Sequence, residues 1–408
     1  MKILFVSLGC DKNLVDSEKM LGMLQEKGYT FTDDEAEADV VVVNTCCFIG
    51  DAKEESINTL LQMGELKDSG QVKALIAAGC LAQRYREEIQ KEIPQVDAII
   101  GTTAIDEIVA ALEEILAGQK QNHYEDINAA PVTETNRVVT TGGHFAYLKI
   151  AEGCDKHCTY CIIPKVRGNY RSVPKESLLK EARELADKGV RELILVAQET
   201  TLYGVDLYGK KELPGLLHEL AQIPGIYWIR ILYCYPEEIT DELINAIAAE
   251  PKVCNYLDIP IQHINDEILR KMNRRGNGEY VRQLFTKLRH EIPGLVLRTS
   301  LITGLPGEGE VEFAQLCDFL KEYKLERVGA FAFSPEEGTR AAEMEYPDTE
   351  IAKQRAEQVA EIQSRIMDDY NESCVGQVMQ VLCEGYDPDE GSYFGRTSVS
   401  YTHLTLPT

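Results

Sequence analysis

The sequence is poor in basic residues and contains no long apolar run. Lys and Arg number 42 against 67 Asp and Glu, which gives a formal net charge of −25 over 408 residues. Proteins that bind nucleic-acid phosphates along a broad surface need a cationic face, so this charge balance disfavours nucleic acid as a general partner. The same balance favours a basic protein as a partner.

A membrane span requires roughly 18 consecutive apolar residues, and no segment of the sequence approaches that length. The first residues, MKILFVSLGC, are not followed by the small-residue cleavage site of a secretory signal. We therefore expect a cytoplasmic protein without membrane association. In that reducing compartment, the 12 cysteines are expected to be metal ligands, catalytic groups or core residues and not disulfides.

The first 120 residues alternate between short β-branched runs and amphipathic helical patterns. The runs, which predict strands buried on both faces, are 2–7, 39–44, 72–78 and 96–100. The helical patterns lie near 14–27, 51–65, 84–92 and 104–117. This rhythm predicts a Rossmann-like α/β domain with a parallel sheet over 1–120, followed by a polar linker at 121–143.

A second βα series starts after the linker. Its strand-like runs are 145–150, 192–197, 227–232, 256–261, 295–302 and 328–333. Helical patterns separate them near 175–188, 213–222, 238–249, 278–290 and 309–323. Six βα repeats over 144–340 predict a partial (βα)6 barrel. A charged helical connector follows over 341–372, and strand-like alternation predicts a small all-β domain over 373–408.

The strongest chemical motif is a loop with three cysteines directly after the first strand of the predicted barrel. Cys154, Cys158 and Cys161 have the spacing Cys-x3-Cys-x2-Cys. Parallel barrels carry their chemistry on loops at the carboxyl ends of strands. Three thiolates there can hold three irons of a [4Fe-4S] cluster and leave the fourth iron open. The alternative is a closed zinc site with His157 as fourth ligand, although zinc sites usually combine two separated ligand pairs.

Three further cysteines, Cys10, Cys46 and Cys80, follow successive strands of the N-terminal domain. Because the carboxyl ends of parallel strands lie at one edge of a sheet, we expect these thiols to meet and to form a second three-thiolate site. The alternative is that each is a buried core cysteine. Cys47 should point away from Cys46 along an extended chain and is not a predicted ligand.

The three-cysteine loop resembles that of the radical S-adenosylmethionine (SAM) superfamily. Tyr160, the aromatic residue before the third cysteine, is similar to the residue whose backbone meets the SAM adenine there. The resemblance implies that SAM chelates the open iron through its amino and carboxylate groups. The reduced cluster would then cleave SAM to methionine and a 5′-deoxyadenosyl radical, which can attack an unactivated C–H bond.

Longer stretches narrow the resemblance to the methylthiotransferase family, over the chain to about Arg396. They are VSLGCDKNLVDSE, VNTCCFIGDAKEES and AAGCLAQRY, followed by the cysteine loop. Members of that family combine an N-terminal domain carrying an auxiliary [4Fe-4S] cluster, a radical SAM barrel and a small C-terminal TRAM β-barrel. The Lys12-Asn13 and Asp16-Ser17-Glu18 pattern and the ending EGYDPDEGSYFGRT are similar to the RimO branch. That branch adds a methylthio group to the β-carbon of an aspartate in small-subunit ribosomal protein twelve.

The resemblance also implies a mechanism and its partners. An external sulfide on the auxiliary cluster would accept a methyl group from one SAM. A second SAM, on the cluster of the cysteine loop, would supply the radical that removes hydrogen from the aspartate. The expected partners are the basic ribosomal protein and a reductant such as flavodoxin or ferredoxin.

Further SAM-binding positions implied by the resemblance lie at the ends of predicted barrel strands. They are Gln198, Glu199, Gln262, Arg298, Gly304 and Glu308. The alternative for each is an ordinary turn residue or a residue of an interior barrel layer.

Two other functions stay open from the sequence. Relatives in the same family modify adenosine in transfer RNA, and four basic residues could touch phosphate, although on a helix such residues usually form a solvated face: Arg270, Lys271, Arg274 and Arg275. The residues from Cys374 to Ser400 include four acids and one base, which favours a cationic protein over RNA. The other alternative is an iron–sulfur electron carrier or ribosome-binding protein without catalysis, which leaves the full barrel unexplained.

The end of the sequence departs from the family pattern. After Thr397 the chain reads SVSYTHLTLPT, where the branch continues with acidic residues and more strands. We therefore expect a truncated, partial TRAM domain.

Overall fold

The computed structural model describes residues 1–400 and 404–406. The chain divides into two compact units. The N-terminal unit comprises Met1–Thr140, Ala151–Asp155 and Cys161–Val173, and the C-terminal unit comprises Thr141–Ile150, Lys156–Tyr160 and the chain from Pro174 onward.

Strands and helices alternate along most of the described chain. The strands are β1 Lys2–Ser7, β2 Thr30–Thr32, β3 Val40–Thr45, β4 Ala74–Ala78, β5 Ala98–Ile100, β6 Phe145–Lys149, β7 Ala151–Glu152, β8 Arg171–Ser172, β9 Glu192–Val196, β10 Trp228–Ile231, β11 Val253–Asp258, β12 Val296–Thr303, β13 Arg327–Ala332, β14 Val381–Asp387, β15 Ser392–Thr397 and β16 Leu404–Leu406. The α-helices are α1 Asp11–Glu26, α2 Gly50–Asp68, α3 Gly79–Arg84, α4 Arg86–Glu92, α5 Ile108–Leu116, α6 Ile163–Arg167, α7 Lys175–Asp187, α8 Val205–Tyr208, α9 Leu213–Ala221, α10 Asp241–Ala249, α11 Asp266–Lys271, α12 Gly278–Glu291, α13 Glu310–Tyr323 and α14 Thr349–Ser373.

The N-terminal unit is built on a five-stranded parallel sheet with the order β2-β1-β3-β4-β5. This is the strand order of the flavodoxin-like doubly wound folds. Successive residues of β3 enter opposite apolar layers: Val41 and Val43 pack in one cluster, and Val40 and Val42 pack in the other. The sheet is therefore buried on both faces, as its continuous β-branched runs predict.

The C-terminal unit contains a six-stranded sheet with the order β13-β12-β11-β10-β9-β6, in which all neighbours are parallel. Helices cross between the strands, and the longer ones bury an apolar stripe. In α7, for example, the buried side chains are those of the predicted stripe: Leu178, Leu179, Ala182, Leu185 and Ala186. The sheet ends at β6 and β13 without closing, so the predicted partial barrel is confirmed.

The end of the described chain forms a small antiparallel sheet with the order β14-β15-β16. It follows the long helix α14, where the sequence predicts a helical connector. The α/β fold class with a small all-β C-terminal element is thus confirmed. The assignment of this element to a TRAM domain stays a prediction, and residues 401–403 and 407–408 of the atypical tail lie outside the described residues.

Two short segments of the predicted barrel range belong to the N-terminal compact unit. Residues 151–155 and 161–173 fall within the predicted barrel range, but they belong to the N-terminal unit. The physical reason is packing, because Ile162 and Val166 are buried in its apolar core. The sequence pattern also missed the short strands β2 and β16. In the described residues, no helix is long and apolar enough to cross a membrane.

A buried ion network joins the C-terminal sheet to barrel strand β9. Glu192 of β9 is fully buried and contacts Arg230 at 2.7 Å and Arg396 of β15 at 3.0 Å. Arg396 also donates from Nε to Glu384 of β14 at 2.7 Å. Removal of one partner from such a network leaves an uncompensated buried charge.

We expect Arg396→Ala to lower the free energy of unfolding by about 3–5 kcal/mol, because it removes the buried cation that the carboxylates of Glu192 and Glu384 share. The control is Arg365→Ala, since Arg365 is 78% exposed and pairs with Glu361 on the surface of α14. That change should lower stability by less than about 1 kcal/mol. Urea unfolding followed by circular dichroism measures both, and equal effects would contradict the assigned role of the network.

Candidate functional site

Cys10, Cys46 and Cys80 lie at one edge of the N-terminal sheet. Ser7 of β1 is in register with Asn44 of β3, which is in register with Ala78 of β4. The three cysteines follow these adjacent positions by two or three residues, at the carboxyl ends of their strands. The structure therefore brings the cysteines to one edge of the sheet, as the sequence predicts.

Glycine makes the close approach of these loops possible. Gly9 has a positive φ of +90°, and a Cβ added there would lie 2.7 Å from Cys46 Cβ and 2.8 Å from Cys46 Sγ. No side chain fits at that distance, so the backbone before Cys10 rests directly on Cys46. Gly79, before Cys80, also has a positive φ of +89°, which L side chains rarely adopt.

A hydrogen-bond frame fixes the loops around the cysteines. Asn13 Nδ2 donates to Leu8 O at 2.7 Å and to Thr45 O at 3.1 Å, so one side chain ties the loop after β1 to the end of β3. Ser56 Oγ accepts from Cys46 N at 2.9 Å and donates to Cys46 O at 3.0 Å. These bonds satisfy backbone groups that strand ends leave unpaired.

The thiols differ in burial and in charge environment. Cys10 is exposed, whereas Cys46 and Cys80 are buried. Burial raises the pKa of the Cys80 thiol to about 12, against the opposing effect of the Arg167 cation. Burial also raises the pKa of Cys46, and a charge on Cys10 adds to that rise. The electrostatic coupling of the three thiols reflects their proximity.

This donor set fits the auxiliary cluster that the resemblance implies. Three thiols with a nearby guanidinium suit a soft, thiolate-bound iron–sulfur group. Cys47, which is not a predicted ligand, is fully buried and packs in the same apolar cluster as Cys80. Among the described residues no three His, Cys, Asp or Glu side chains meet at the spacing of a single metal ion. The thiolates of a four-iron cluster stand farther apart than the ligands of one ion.

The three-cysteine loop is held at both ends within the N-terminal unit. Cys154 N donates to Gly168 O at 3.1 Å, in the turn that leads from α6 to β8. Cys161 directly precedes Ile162, which is 1% exposed and packs in the core with Val166 of α6. Covalent continuity keeps all three cysteines within eight residues of chain.

Cys158 lies beside a buried arginine in the C-terminal unit. Arg274 Nη1 is 3.9 Å from Cys158 Sγ, and Nη2 donates to Pro260 O at 2.7 Å. The guanidinium also stacks over the Tyr235 ring at 4.1 Å. The interpretation of Arg274 as part of a solvated helix face was therefore wrong. α11 ends at Lys271, so helical spacing does not extend to Arg274.

Glu199 follows β9 at the carboxyl end of the barrel sheet and is 1% exposed. Burial raises the pKa of its carboxyl to about 7, although a hydrogen bond from Thr201 and the charge of Lys156 oppose the rise. Thr201 N donates to Glu199 at 2.8 Å, and Lys156 Nζ lies 3.8 Å away. Lys156 comes from the cysteine loop and also pairs with Glu238.

The other predicted SAM-binding residues lie in the C-terminal unit, on its strands or in the loops next to them. Gln262 has a positive φ of +69°, an uncommon conformation that often marks functional sites. Arg298 of β12 is half-buried, 3.7 Å from Asp258. Tyr160 packs against an apolar cluster that contains Phe333. Gln198 follows β9 directly and is half-buried.

Glu308 is buried, and one of its two carboxylate oxygens is hydrogen-bonded within its own chain. Its Oε1 accepts from Gly304 N and from Arg355, both at 2.9 Å. Its Oε2 lies 3.2 Å from His263 Nε2, but neither of these two buried atoms makes a hydrogen bond within the described residues. Glu308 therefore shapes the loop at Gly304 through Oε1 alone. The contacts of His263 and Arg355 could not be predicted from the sequence, because they join distant segments.

Comparison with known proteins gives a consistent picture. Residues 2–101 match the uncharacterized protein family UPF0004, and residues 148–320 match the radical SAM superfamily. The chain is 57% identical over 398 residues to the ribosomal protein uS12 methylthiotransferase RimO of Lachnoclostridium phytofermentans, covering 97% of this chain and 90% of the relative. It is 46% identical over 397 residues to the protein of the same name from Clostridium botulinum, covering 97% and 88%.

Solved structures share the fold at low sequence identity. The radical S-adenosylmethionine methyltransferase TsrM from Kitasatospora setae superposes with a TM-score of 0.60 at 14% identity, over 88% of this chain and 78% of that chain. The cobalamin-dependent radical enzyme OxsB superposes with a TM-score of 0.55 at 12% identity, over 96% and 64%. These likenesses concern the fold alone.

We expect Gly9→Ala to abolish iron binding at the auxiliary site, because the new Cβ would overlap Cys46. Gly28→Ala is the control, since Gly28 has a similar φ of +86° but no atom within 4 Å of the added Cβ. Both changes carry the backbone penalty of about 1–2 kcal/mol. After anaerobic reconstitution, Gly9→Ala should hold about half the iron of the parent protein if two clusters of equal size bind. Full iron content in Gly9→Ala would refute this account of the site.

Proposed function

The chain belongs to the RimO family of ribosomal protein uS12 methylthiotransferases, and we propose that it adds a methylthio group to the β-carbon of an aspartate in uS12, small-subunit ribosomal protein twelve. The observation that carries this proposal is the 57% identity to a RimO protein over 97% of this chain. The match to this relative extends over both compact units of the chain. We therefore propose the complete reaction and not the activity of a single domain. The net charge of −25 suits a basic protein substrate better than RNA.

Two groups of cysteines are proposed to hold the iron–sulfur groups. Cys154, Cys158 and Cys161 would hold the radical SAM cluster, and Cys10, Cys46 and Cys80 would hold the auxiliary cluster. When bound, these groups supply the electron that cleaves SAM and the site for the external sulfide that is transferred. A reductant such as flavodoxin or ferredoxin would complete the system. We propose the cytoplasm as its compartment, since exposed Cys10 needs reducing conditions.

Residues of the barrel are proposed to bind and orient SAM. Glu199 would accept hydrogen bonds from the SAM amino group, as its buried position next to the cysteine loop allows. Glu308 would orient the loop at Gly304 through Oε1, which Gly304 and Arg355 occupy, and would present Oε2 to the cofactor. Tyr160, Gln198, Gln262 and Arg298 complete the proposed set.

The function is tested with anaerobically reconstituted protein, SAM, sulfide and a reductant. A uS12 loop peptide and an anticodon stem-loop RNA compete in the same reaction, and mass spectrometry detects the methylthio increment. We expect the peptide alone to be modified. A modified RNA beside an unmodified peptide would overturn the proposal in favour of a transfer-RNA enzyme, and absence of 5′-deoxyadenosine would favour a non-catalytic carrier.

Neighbouring cysteines provide a matched pair in that assay. We expect Cys46→Ala to abolish the methylthio product while 5′-deoxyadenosine still forms, because only the auxiliary ligand set is damaged. Cys47→Ala should retain the product, since Cys47 is not among the proposed ligands. Product formation by Cys46→Ala at the parental rate would rule out Cys46 as a ligand.

The raised pKa of Glu199 predicts a pH dependence of SAM binding. Its carboxyl, with a pKa of about 7, loses its charge as the pH falls below that value. A neutral carboxyl accepts hydrogen bonds less well, so SAM affinity should fall by up to about tenfold between pH 8 and pH 6. Anaerobic equilibrium dialysis of SAM across this range measures the effect.

Two variants make this measurement specific. Glu199→Gln should remove most of the pH dependence of SAM affinity. Glu238→Gln should keep a pH dependence but move its midpoint to lower pH, because the negative charge of Glu238 raises the pKa of Glu199. Identical pH profiles for the parent protein and Glu199→Gln would exclude Glu199 as the group responsible.

A further inference from the structure

Arg167 occupies an unusual position at the end of α6. It lies six residues after Cys161, and it is 2% exposed. The hydrogen-bond partners of its guanidinium belong to the N-terminal unit, although the sequence pattern assigns this segment to the barrel. Neither the spacing of the cysteines nor the sequence resemblance singles out this residue.

Each nitrogen of the guanidinium has a buried partner. Nε donates to Cys80 Sγ at 3.2 Å, and Nη2 donates to Asn13 Oδ1 at 2.6 Å. Nη1 donates to Asp16 Oδ2 at 2.7 Å and to Glu152 Oε2 at 3.2 Å. A planar guanidinium with several fixed partners cannot reorient without breaking charge-assisted bonds. Its Nε–H is therefore held on the Cys80 sulfur.

The backbone that carries Arg167 is itself anchored. Ile162 and Val166 pack in the apolar core of the N-terminal unit. Thr102 Oγ1 donates to Val166 O at 3.0 Å. The direction of the guanidinium thus follows from a packed helix, and Asn13 links it to the loop that carries Cys10.

A positive charge near a ligand sulfur changes the properties of a bound iron–sulfur group. Hydrogen bonds to the sulfurs and the local net charge set the reduction potential of such clusters. Partners outside the ligand set also fix the orientation of the ligands. Reduction adds negative charge to the cluster, so a fixed cation stabilises the reduced form and raises the potential.

We propose that Arg167 is a positioning residue of the auxiliary site: it fixes Cys80 in its ligand orientation and raises the reduction potential of the cluster held by Cys10, Cys46 and Cys80. This inference rests on the proposed function, because it assumes the auxiliary cluster. It adds a residue from the segment after the radical SAM cysteines to the auxiliary site. The reduction potential of the auxiliary cluster would therefore depend on α6, which carries Arg167.

The chain offers a matched control. Arg137 is 4% exposed, lies in the same unit and donates from Nε to Glu18 Oε2 at 2.7 Å. Its ion-pair partner, Glu18, is not a proposed ligand. A change at Arg137 therefore removes a buried cation and its ion pair without touching a proposed ligand.

The experiment uses the full chain with Cys154, Cys158 and Cys161 all changed to Ala, so that only the auxiliary cluster can form. Arg167→Gln, Arg167→Lys and Arg137→Gln are made in that background. Iron content, thermal unfolding and an EPR-monitored reductive titration are measured anaerobically. The background protein should bind about four irons per chain.

We expect Arg167→Gln to shift the one-electron equilibrium about tenfold toward the oxidised cluster, which is a fall of about 59 mV in potential. Arg167→Lys should give a smaller fall, because it keeps the charge but loses the fixed fork of donors. Arg137→Gln should destabilise the fold without shifting the potential. Loss of iron from Arg167→Gln with its retention in Arg137→Gln would also support ligand positioning.

The outcomes separate this inference from the function on which it rests. Unchanged potentials and iron contents in both Arg167 variants would overturn it and leave the auxiliary cluster intact. An equal shift in Arg137→Gln would overturn it as well, since the effect would then be general destabilisation. If Arg167→Gln does not fold, Arg167→Lys becomes the deciding variant. A reduction potential of Arg167→Lys equal to that of the background protein would then overturn the proposal. A background protein without iron would overturn the auxiliary cluster itself.

Discussion

The parallel pairing of β1, β3 and β4 determines where three cysteines from distant parts of the sequence end. Because these strands are adjacent and in register, the loops that follow them share one edge of the sheet. The apolar layers on both faces prevent any strand from slipping, since a shift by one residue would exchange its two buried faces. The thiol site is therefore a consequence of the core. Gly9 and Gly79 allow the loops that carry Cys10 and Cys80 to approach the end of β3 closely.

Buried arginines recur beside the proposed ligands in both units. Arg167 donates to Cys80 in the N-terminal unit, and Arg274 lies close to Cys158 in the C-terminal unit. Each is held by further partners, so neither can turn toward solvent to solvate its charge. A thiolate needs compensation in a buried setting, and a fixed cation provides it without a proton. Thus each site combines soft donors with a permanent positive charge.

Local sequence pattern was sufficient for the longer strands, most helices and the approach of Cys10, Cys46 and Cys80 to one edge of the sheet. These features depend on the period of apolar residues and on the geometry of parallel sheets. The roles of Arg167, Arg274 and His263 could not be predicted, because each depends on partners far away in sequence. Membership of α6 in the N-terminal unit was missed for the same reason: Ile162 and Val166 look like any apolar pair until their packing is known. The ligand roles of the cysteines stay predictions.

The unequal exposure of the three N-terminal thiols has a consequence for the metal-free protein. Cys10 is open to solvent, whereas Cys46 and Cys80 are buried. Oxidation of cysteine follows accessibility and thiolate character, so dissolved oxygen or peroxide meets Cys10 first. Damage then begins as a sulfenic acid at one residue, while the two buried thiols are still intact. A small thiol reductant that reaches Cys10 from solvent is sufficient to restore the full set before iron arrives.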